Sequence, residues 1–238
     1  IVVLHNGAAV EMPWVNEVKG LVEAYLGGQA VGQAEVNILY GNVNPSGKLA
    51  ETLPIKLEDN PSYLNFGDGD KVEYNEGVFV GYRYYDKKKM DVAFPFGYGL
   101  SYTTFEYSNI KTDKETLTEG DTLQVSVDVT NTGDRYGKEI VQLYVADKTE
   151  AVRRPEKELK GFEKVALNPG ETKTVTFTLD KRSFAWYNTD IHDWYAASGA
   201  YEIMIAASSR EICLTKTIQW ESTQVLPLHL HLNTTLGE

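Results

Sequence analysis

The chain has 238 residues with a formal net charge of −11 at pH 7, and 42% of its residues are hydrophobic. Its length suffices for one large domain or two ordinary ones, and its composition is that of a globular protein rather than a disordered one. So acidic a surface disfavours nucleic acid and anionic membranes as partners and is compatible with a neutral sugar, while the single cysteine, Cys213, excludes an internal disulfide.

Residues 1–110 show the patterns of an α/β domain. The apolar run Ile1–Leu4 indicates a buried strand, and because the chain opens inside it we expect the native protein to begin further upstream. Apolar residues at helical spacing over Trp14–Tyr25 predict one helix, and a second helix is expected over Val31–Leu39. The apolar and aromatic stretch Val78–Tyr85 predicts a strand.

Residues 111–221 change to a period of two, which places one face of each strand in a core and the other in water. Turn sequences separate the apolar runs, so the pattern predicts an antiparallel β-sandwich. Because no Cys…Trp…Cys spacing is present, a fibronectin type III-like domain fits better than an antibody-type domain. The alternating runs are Leu123–Val129, Val175–Leu179, Tyr201–Ile205 and Ile212–Ile218.

Residues 222–238 are a tail without an assigned structure.

Seven stretches of the chain carry long motifs in a fixed order. They are Val2–Trp14, Gly27–Gly32, Gly41–Pro54, Glu76–Asp86, Phe94–Thr103, Arg154–Phe162 and Leu167–Glu171. In sequence and order these motifs resemble glycoside hydrolase family 3 of the β-glucosidase type, and the resemblance covers nearly the whole chain. Several long motifs in order are more specific than one short motif. The resemblance implies the end of the family's α/β sandwich domain followed by its fibronectin type III-like domain.

The resemblance implies part of a retaining β-glucosidase, which hydrolyses terminal β-D-glucosyl residues with two carboxyl groups and needs no cofactor or metal. In this family the nucleophile is an Asp on an N-terminal (β/α)8 barrel, and the acid/base is usually a Glu ahead of the strand at which this chain begins. We therefore expect no catalytic residue in the chain and no activity from it alone. The expected partners are a β-glucoside or oligosaccharide and a barrel portion on the same or a separate chain. Association into a homo-oligomer and the compartment, cytoplasmic or secreted, are left open.

Two alternatives remain open at the level of the sequence. An enzyme of the same family could act on β-xylosides, α-L-arabinosides or β-N-acetylglucosaminides, because the motifs do not identify the residues that shape the sugar pocket. The two domains could instead be a non-catalytic carbohydrate-binding or scaffolding module. An assay with an aryl β-glucoside, with and without a barrel-bearing partner, separates an enzyme part from such a module.

Four residues are candidates for the rim of a sugar site. Asp68 lies in the polar, Gly-rich stretch 59–70, which is predicted to be a long exposed loop, and Glu73, Tyr74 and Glu76 follow it. Two carboxylates next to an aromatic residue suit such a rim. The plainer alternatives are that Glu76 anchors the loop through hydrogen bonds to backbone N–H groups and that Asp68 is a solvated turn residue.

Two groups of charged residues are expected at domain contacts. Arg83 and Asp86 are predicted to pair across the interface with the sandwich, a common use of the planar guanidinium group. Arg153, Arg154 and Lys157 form a small basic cluster in an acidic chain. We expect this cluster to contact the barrel or, as the alternative, to lie in an exposed loop.

Histidine-containing stretches near the C-terminus suggest no catalysis or metal binding. His192-Asp193-Trp194 resembles the family's nucleophile motif only superficially, and we interpret it as a polar turn beside a core Trp. His229 and His231 share one face of a strand-like run, but with no third ligand we expect no metal site. Asn233-Thr234-Thr235 is a formal glycosylation sequon, which has meaning only in a eukaryotic secretory route.

Overall fold

The first portion of the chain is built on a parallel pair of short strands. A computed structural model describes residues 1–67, 69–224 and 226. In it, strand β1 (Val2–Leu4) pairs with β2 (Leu21–Glu23) in parallel, and the connection between them contains only a 3-10 turn at Val15–Glu17. The strand predicted at the start of the chain is confirmed, but its predicted burial is not, because Val2–Leu4 are only partly buried and Ile1 is exposed.

The helix predicted over Trp14–Tyr25 is wrong. The apolar residues there fit a helical period, but Leu21–Glu23 form strand β2. They do so because β1, which lies outside the predicted helix, supplies their backbone hydrogen-bond partners. Local periodicity cannot reveal such a distant partner. Tyr25 then takes a positive φ of 49°, outside the conformation of a strand or a right-handed helix. The second predicted helix is confirmed as α1, with the bounds Val31–Leu39.

The strand predicted over Val78–Tyr85 is also wrong, because Tyr82–Lys87 form a helix, α2. The residue before it, Gly81, has a φ of 58°, which glycine adopts without a steric penalty. The ring of Tyr82 stacks on that of Phe96 with centroids 5.0 Å apart. Tertiary packing, rather than the weak helix propensity of an aromatic-rich segment, therefore decides the conformation.

The remainder of the chain forms two facing sheets. Their strands are β3 (Phe105–Thr112), β4 (Thr116–Leu117), β5 (Leu123–Asn131), β6 (Gly137–Asp147), β7 (Glu158–Leu167), β8 (Thr172–Leu179), β11 (Gly199–Ala206) and β12 (Ile212–Trp220). One sheet has the order β3-β5-β8 and the other β4-β12-β11-β6-β7. Their pairings are antiparallel except for the short parallel contact of β4 with β12. A helical turn, α3 (Lys181–Phe184), and a ribbon of β9 (Trp186–Asn188) and β10 (Asp193–Tyr195) connect β8 to β11.

One hydrophobic core fills the space between the two sheets. Along β5 every second residue is buried, which is the alternation that the sequence predicted. Phe184 lies at the centre of an aromatic group, with its ring centroid 5.4 Å from those of both Tyr201 and Trp220. The predicted fold class, an α/β portion followed by an antiparallel fibronectin type III-like sandwich, is confirmed.

The predicted division of the chain at residue 110 stays a prediction. Strand β3 spans that residue and pairs with β5 inside the sandwich. We therefore propose that the boundary lies before Phe105. Four sequence predictions, concerning Asp68, His229, His231 and the sequon at Asn233, fall outside the described residues.

Polar side chains connect the first portion to the sandwich. Lys48 forms an ion pair with Glu139 on β6, with 2.9 Å between Nζ and Oε1, and its Nζ also donates to the carbonyl of Gly99 at 3.0 Å. Both charged side chains are largely buried, at 12% and 7% exposure. Asn44 donates to the carbonyl of Tyr136 at 3.0 Å. Within the stretch that the structure describes, no helix combines the length and the apolarity needed to cross a membrane.

Candidate functional site

The predicted rim residues lie in a segment of turns that precedes helix α2. Tyr74 is 93% exposed, and Glu73 forms an exposed ion pair with Lys71 at 3.1 Å. Glu76 is partly buried, and its main-chain carbonyl accepts the N–H of Phe79 at 2.9 Å. The turn is thus anchored through the carbonyl of Glu76 and leaves its carboxylate for other contacts.

A shallow cleft of about 210 Å³ lies beside Glu73. Its lining consists of Leu64, Asn65, Lys71 and Glu73. An amide, an ammonium group and a carboxylate can all hydrogen-bond to the hydroxyl groups of a sugar. Of the three described rim residues, Glu73 lines this cleft, and Tyr74 and Glu76 do not.

Glu76 belongs to an acidic environment around Tyr85, a residue that the sequence analysis did not select. Burial is the largest cause that raises the pKa of Tyr85 to about 12, and the charges of Asp59, Tyr84, Glu76 and Glu51 add to it. Tyr85 is therefore a neutral phenol at pH 7 and can donate a hydrogen bond. No linear motif signals this group, because its members come together only in three dimensions.

A second polar group that the sequence analysis missed lies at the carboxyl ends of β1 and β2. Tyr25 donates its N–H to Oε1 of Glu23 at 2.8 Å, and Asn6 donates to Oε2 of the same carboxylate at 3.1 Å. Burial and then the charges of Glu51 and Glu23 raise the pKa of Tyr25 to about 12. The available sequence signal was the position of Asn6 two residues after the apolar run Ile1–Leu4, since polar residues at this end of parallel strands often contact ligands.

A larger open cleft of about 510 Å³ lies where the end of α1 approaches the sandwich. Its lining consists of Leu39, Tyr40, Gly41, Tyr102 and Arg135. A retaining glycosidase needs two carboxyl groups about 5–5.5 Å apart. Counting only the residues that the structure describes, the larger of these two clefts has no carboxylate in its lining and the smaller has one, Glu73. Across the described residues, no group of three or more His, Cys, Asp or Glu side chains is arranged for a metal ion.

Asp193 is part of the β9–β10 ribbon and lines neither of these clefts. It lies opposite Asn188, and its carboxylate accepts the N–H of Trp194 at 2.7 Å. The guanidinium group of Arg182 lies 4.2 Å from the ring centroid of Trp194, which packs against the sandwich core. These contacts support a structural role for the stretch, with His192 in the turn and Asp193 and Trp194 at the start of β10.

Arg83 and Asp86 pair with the sandwich, as predicted. The two oxygens of Asp86 bind Lys157 at 2.6 Å and Arg210 at 3.1 Å. Arg83 lies 3.3 Å from the carboxylate of Glu158 at the start of β7. Helix α2 is therefore held to the sandwich by opposite charges along one side.

Two of the three residues of the basic cluster are largely buried and do not lie in an exposed loop, and the predicted contact of the cluster with a barrel stays a prediction. The side chain of Arg154 is 10% exposed, and its guanidinium group binds the carboxylates of Asp147 and Glu158. These two carboxylates compensate for the loss of water around the buried charge. Lys157 is 12% exposed and binds Asp86. Only Arg153 is exposed, with its guanidinium group 5.3 Å from the ring centroid of Phe79.

Comparison with known proteins identifies both portions of the chain. Residues 1–102 match the Glycosyl hydrolase family 3 C-terminal domain, and residues 139–209 match the Fibronectin type III-like domain. The chain is 62% identical over 224 residues to thermostable beta-glucosidase B of Acetivibrio thermocellus, which is 94% of this chain and 30% of that protein. It is 47% identical over 223 residues to the exo-alpha-(1->6)-L-arabinopyranosidase of Bifidobacterium breve, covering 93% of this chain and 29% of that protein.

Solved structures show the same relationship. The beta-glucosidase of Bifidobacterium adolescentis superposes with a TM-score of 0.89 at 44% identity, covering 95% of this chain and 34% of that chain. The beta-glucosidase of Kluyveromyces marxianus in complex with glucose gives a TM-score of 0.86 at 45% identity, covering 93% of this chain and 26% of that chain. The chain thus spans about a third or less of the length of these relatives. It belongs to glycoside hydrolase family 3, of which it carries the C-terminal α/β portion and the fibronectin type III-like domain.

Proposed function

We propose that this chain is the non-catalytic C-terminal part of a retaining β-glucosidase that releases terminal β-D-glucosyl residues. The high identity to a beta-glucosidase supports the substrate. One structural observation supports the division of labour: among the described residues, the lining of neither cleft contains the pair of carboxylates that the double displacement requires. The nucleophile and the acid/base then belong to the remainder of the enzyme.

The remainder of the enzyme is proposed to cover exposed apolar side chains of the first portion of this chain. Leu26, Leu64 and Phe66 are 79%, 85% and 83% exposed, respectively. Burial of such side chains is worth about 25 cal/mol per Å². A (β/α)8 barrel portion, on the same or a separate chain, is the partner that the family relationship supports.

The rim of the sugar site is proposed to include Glu73, Tyr74 and Glu76. The position of Glu73 in a polar cleft and the exposure of Tyr74 support this assignment. Carboxylates hydrogen-bond to sugar hydroxyl groups, and a tyrosine ring packs on the apolar face of a sugar. Asp68 stays a sequence-based candidate for the same rim.

An α-L-arabinopyranoside is a second candidate substrate. The observation that favours it is the 47% identity to an exo-alpha-(1->6)-L-arabinopyranosidase over 93% of the chain. The two activities differ in the glycone, so they can be separated with two chromogenic substrates that share the same leaving group.

The test is a fusion of this chain to the upstream portion of thermostable beta-glucosidase B of Acetivibrio thermocellus, in place of the 224 residues that match. We expect the fusion to hydrolyse 4-nitrophenyl β-D-glucopyranoside with a kcat/KM within about tenfold of the unmodified relative. A faster reaction with 4-nitrophenyl α-L-arabinopyranoside would support the second candidate. The isolated chain is the control, and it should turn over neither substrate.

Covalent trapping tests where the chemistry occurs. A 2-deoxy-2-fluoro-β-D-glucoside with a good leaving group should label a carboxylate of the fusion, because the glycosyl-enzyme intermediate accumulates on the nucleophile. Peptide mapping should place this label upstream of the grafted chain. A label on any Asp or Glu of the chain itself would contradict the proposal.

A further inference from the structure

One short segment of the sandwich contacts the stretch that connects the predicted rim to the core. This clamp segment, Arg153–Leu159, leads into β7. The stretch that it contacts begins at Phe79 and ends with helix α2 at Lys87. Four side chains of the clamp segment and one backbone N–H reach this stretch from the same side of the domain junction.

The central contact of the clamp is made by Asp86. Its carboxylate is bound by Lys157 at 2.6 Å and, from the loop after β11, by Arg210 at 3.1 Å. The side chains of Asp86 and Lys157 are only 9% and 12% exposed. Two cations around one nearly buried carboxylate fix the helix strongly, because loss of Asp86 would leave the largely buried ammonium group of Lys157 without its ion-pair partner.

Further contacts hold the start of α2. The backbone N–H of Leu159 donates to the hydroxyl oxygen of Tyr82 at 2.8 Å. Glu158 lies 3.3 Å from Arg83 and is held on its other side by Arg154. The helix is therefore fixed at both ends, since an ion pair of 2.9 Å also joins Lys87 to Glu156.

The clamp also reaches the residues between α2 and the rim. The guanidinium group of Arg153 lies over the ring of Phe79, 5.3 Å from its centroid. Phe79 in turn donates its N–H to the carbonyl of Glu76 at 2.9 Å. The sandwich thus contacts a residue that is hydrogen-bonded directly to the rim.

We propose that the clamp segment positions Glu73, Tyr74 and Glu76 for the sugar, so that the fibronectin type III-like domain sets substrate affinity from outside the site. This inference rests on the proposed function, because it takes these residues to contact substrate. Arg153 and Asp86 are positioning residues in this scheme and touch no sugar. Binding, rather than bond cleavage, is the step that they support.

Hydrogen exchange in the unmodified chain and its variants tests the clamp without any need for activity. In Arg153→Ala and Asp86→Asn, the hydrogen-bonded amides of Phe79 and of helix α2 should exchange at least about fivefold faster, because the segment loses contacts that restrain local opening. Arg153→Lys should restore slow exchange, since it retains a cation for the ring of Phe79. Lys173→Ala, which removes an exposed ion pair with Glu171 on the sandwich, is the matched control and should leave this segment unchanged.

Kinetics in the fusion enzyme tests the positioning role. Arg153→Ala should raise KM for an aryl β-glucoside about fivefold and leave kcat within about twofold, the signature of lost binding rather than lost chemistry. If Arg153 had a purely structural role, its substitution would lower the melting temperature without raising KM selectively over kcat. Arg153 is exposed, so this variant remains informative if Asp86→Asn does not fold.

The outcomes are distinguishable. Unchanged exchange in both variants overturns the clamp, and faster exchange with an unchanged KM overturns the role of the rim in binding. Failure of the proposed function appears separately, as inactivity of the unsubstituted fusion. The exchange measurement on the chain still decides in that case whether the clamp restrains the segment.

Discussion

Gln142 on β6 is 3% exposed, and both ends of its carboxamide group are hydrogen-bonded. The nitrogen donates to the carbonyls of Gly97 at 2.9 Å and Ala207 at 2.8 Å, and the oxygen accepts the hydroxyl of Tyr144 at 2.6 Å. A buried amide whose partners are all present fixes the position of the groups around it. This single side chain on β6 therefore connects the segment before the sandwich to the loop after β11.

Substitution of Gly97 tests this connection. Gly97 has a φ of 78°, and a Cβ there would collide with the carboxamide of Gln142. Gly97→Ala should lower the free energy of unfolding by about 3 kcal/mol in urea denaturation, from backbone strain and broken buried hydrogen bonds together. Gly170→Ala is the matched control, because its φ is 73° but nothing lies within 4 Å of a Cβ there. Equal losses in the two variants would show that Gln142 has no such role.

Among the elements, the segment after β12 is tied to the turn after β4 through one carboxylate. Glu119 accepts the N–H of Thr223 at 2.7 Å, the hydroxyl of Thr223 at 2.8 Å and the hydroxyl of Ser222 at 2.8 Å. Partial burial acts to raise the pKa of Glu119, but these hydrogen bonds outweigh it and lower the pKa to about 2. The attachment of this segment therefore depends on the ionised carboxylate.

The lowered pKa of Glu119 predicts a pH-dependent stability. The pKa of Glu119 in the folded chain lies below its value of 4.5 in the unfolded chain. The ionised carboxylate therefore stabilises the folded chain fully above about pH 4.5, and this stabilisation is lost as the pH falls toward 2. Glu119→Gln should lower the melting temperature near neutral pH, and its difference from the parent chain should shrink between about pH 5 and about pH 2.5. Circular dichroism at a series of pH values measures this. Glu163→Gln, an exposed substitution on β7, should show a flat difference, and a flat difference for Glu119→Gln would refute the assignment.

The elements differ in how well the sequence predicts them, for a physical reason. The sequence predicts strand β5 correctly because apolar and polar residues alternate along the strand itself, and this alternation matches its burial. Strand β2 and helix α2 were assigned wrongly because distant partners, β1 and Phe96, decide their conformations. The same limit applies to the junction, where the sequence identified Asp86 but not that Lys157 would bind it.

At the scale of the whole molecule, buried apolar side chains are distributed unequally. The sandwich has one continuous core that includes residues from both sheets. Before residue 103, the buried hydrophobic residues in the described part of the chain are Met12, Leu53 and Tyr85. Since apolar burial is the dominant favourable term in folding, the sandwich should be stable alone and the first portion should not.

Two complementary fragments test this asymmetry. Residues 103–224 should unfold cooperatively, with a melting temperature within about 10 °C of that of the full chain, because the core remains complete. Residues 1–102 should show no cooperative transition and should bind a dye that reports exposed apolar surface. Scanning calorimetry and dye fluorescence make the comparison, with the full chain as the reference. A sharp calorimetric transition in the shorter fragment would contradict the argument.

The long sequence separation of the partners of Asp86 has a consequence for biosynthesis. Lys157 follows it by 71 residues and Arg210 by 124. At about 5–20 residues per second, a ribosome needs about 6–25 s to produce the later of the two after Asp86 has been made. Until then, the newly made helix and the acidic turns before it lack the cations that later hold them. Premature termination within this interval would release a product in which helix α2 lacks these ion pairs, a target for chaperones and proteases.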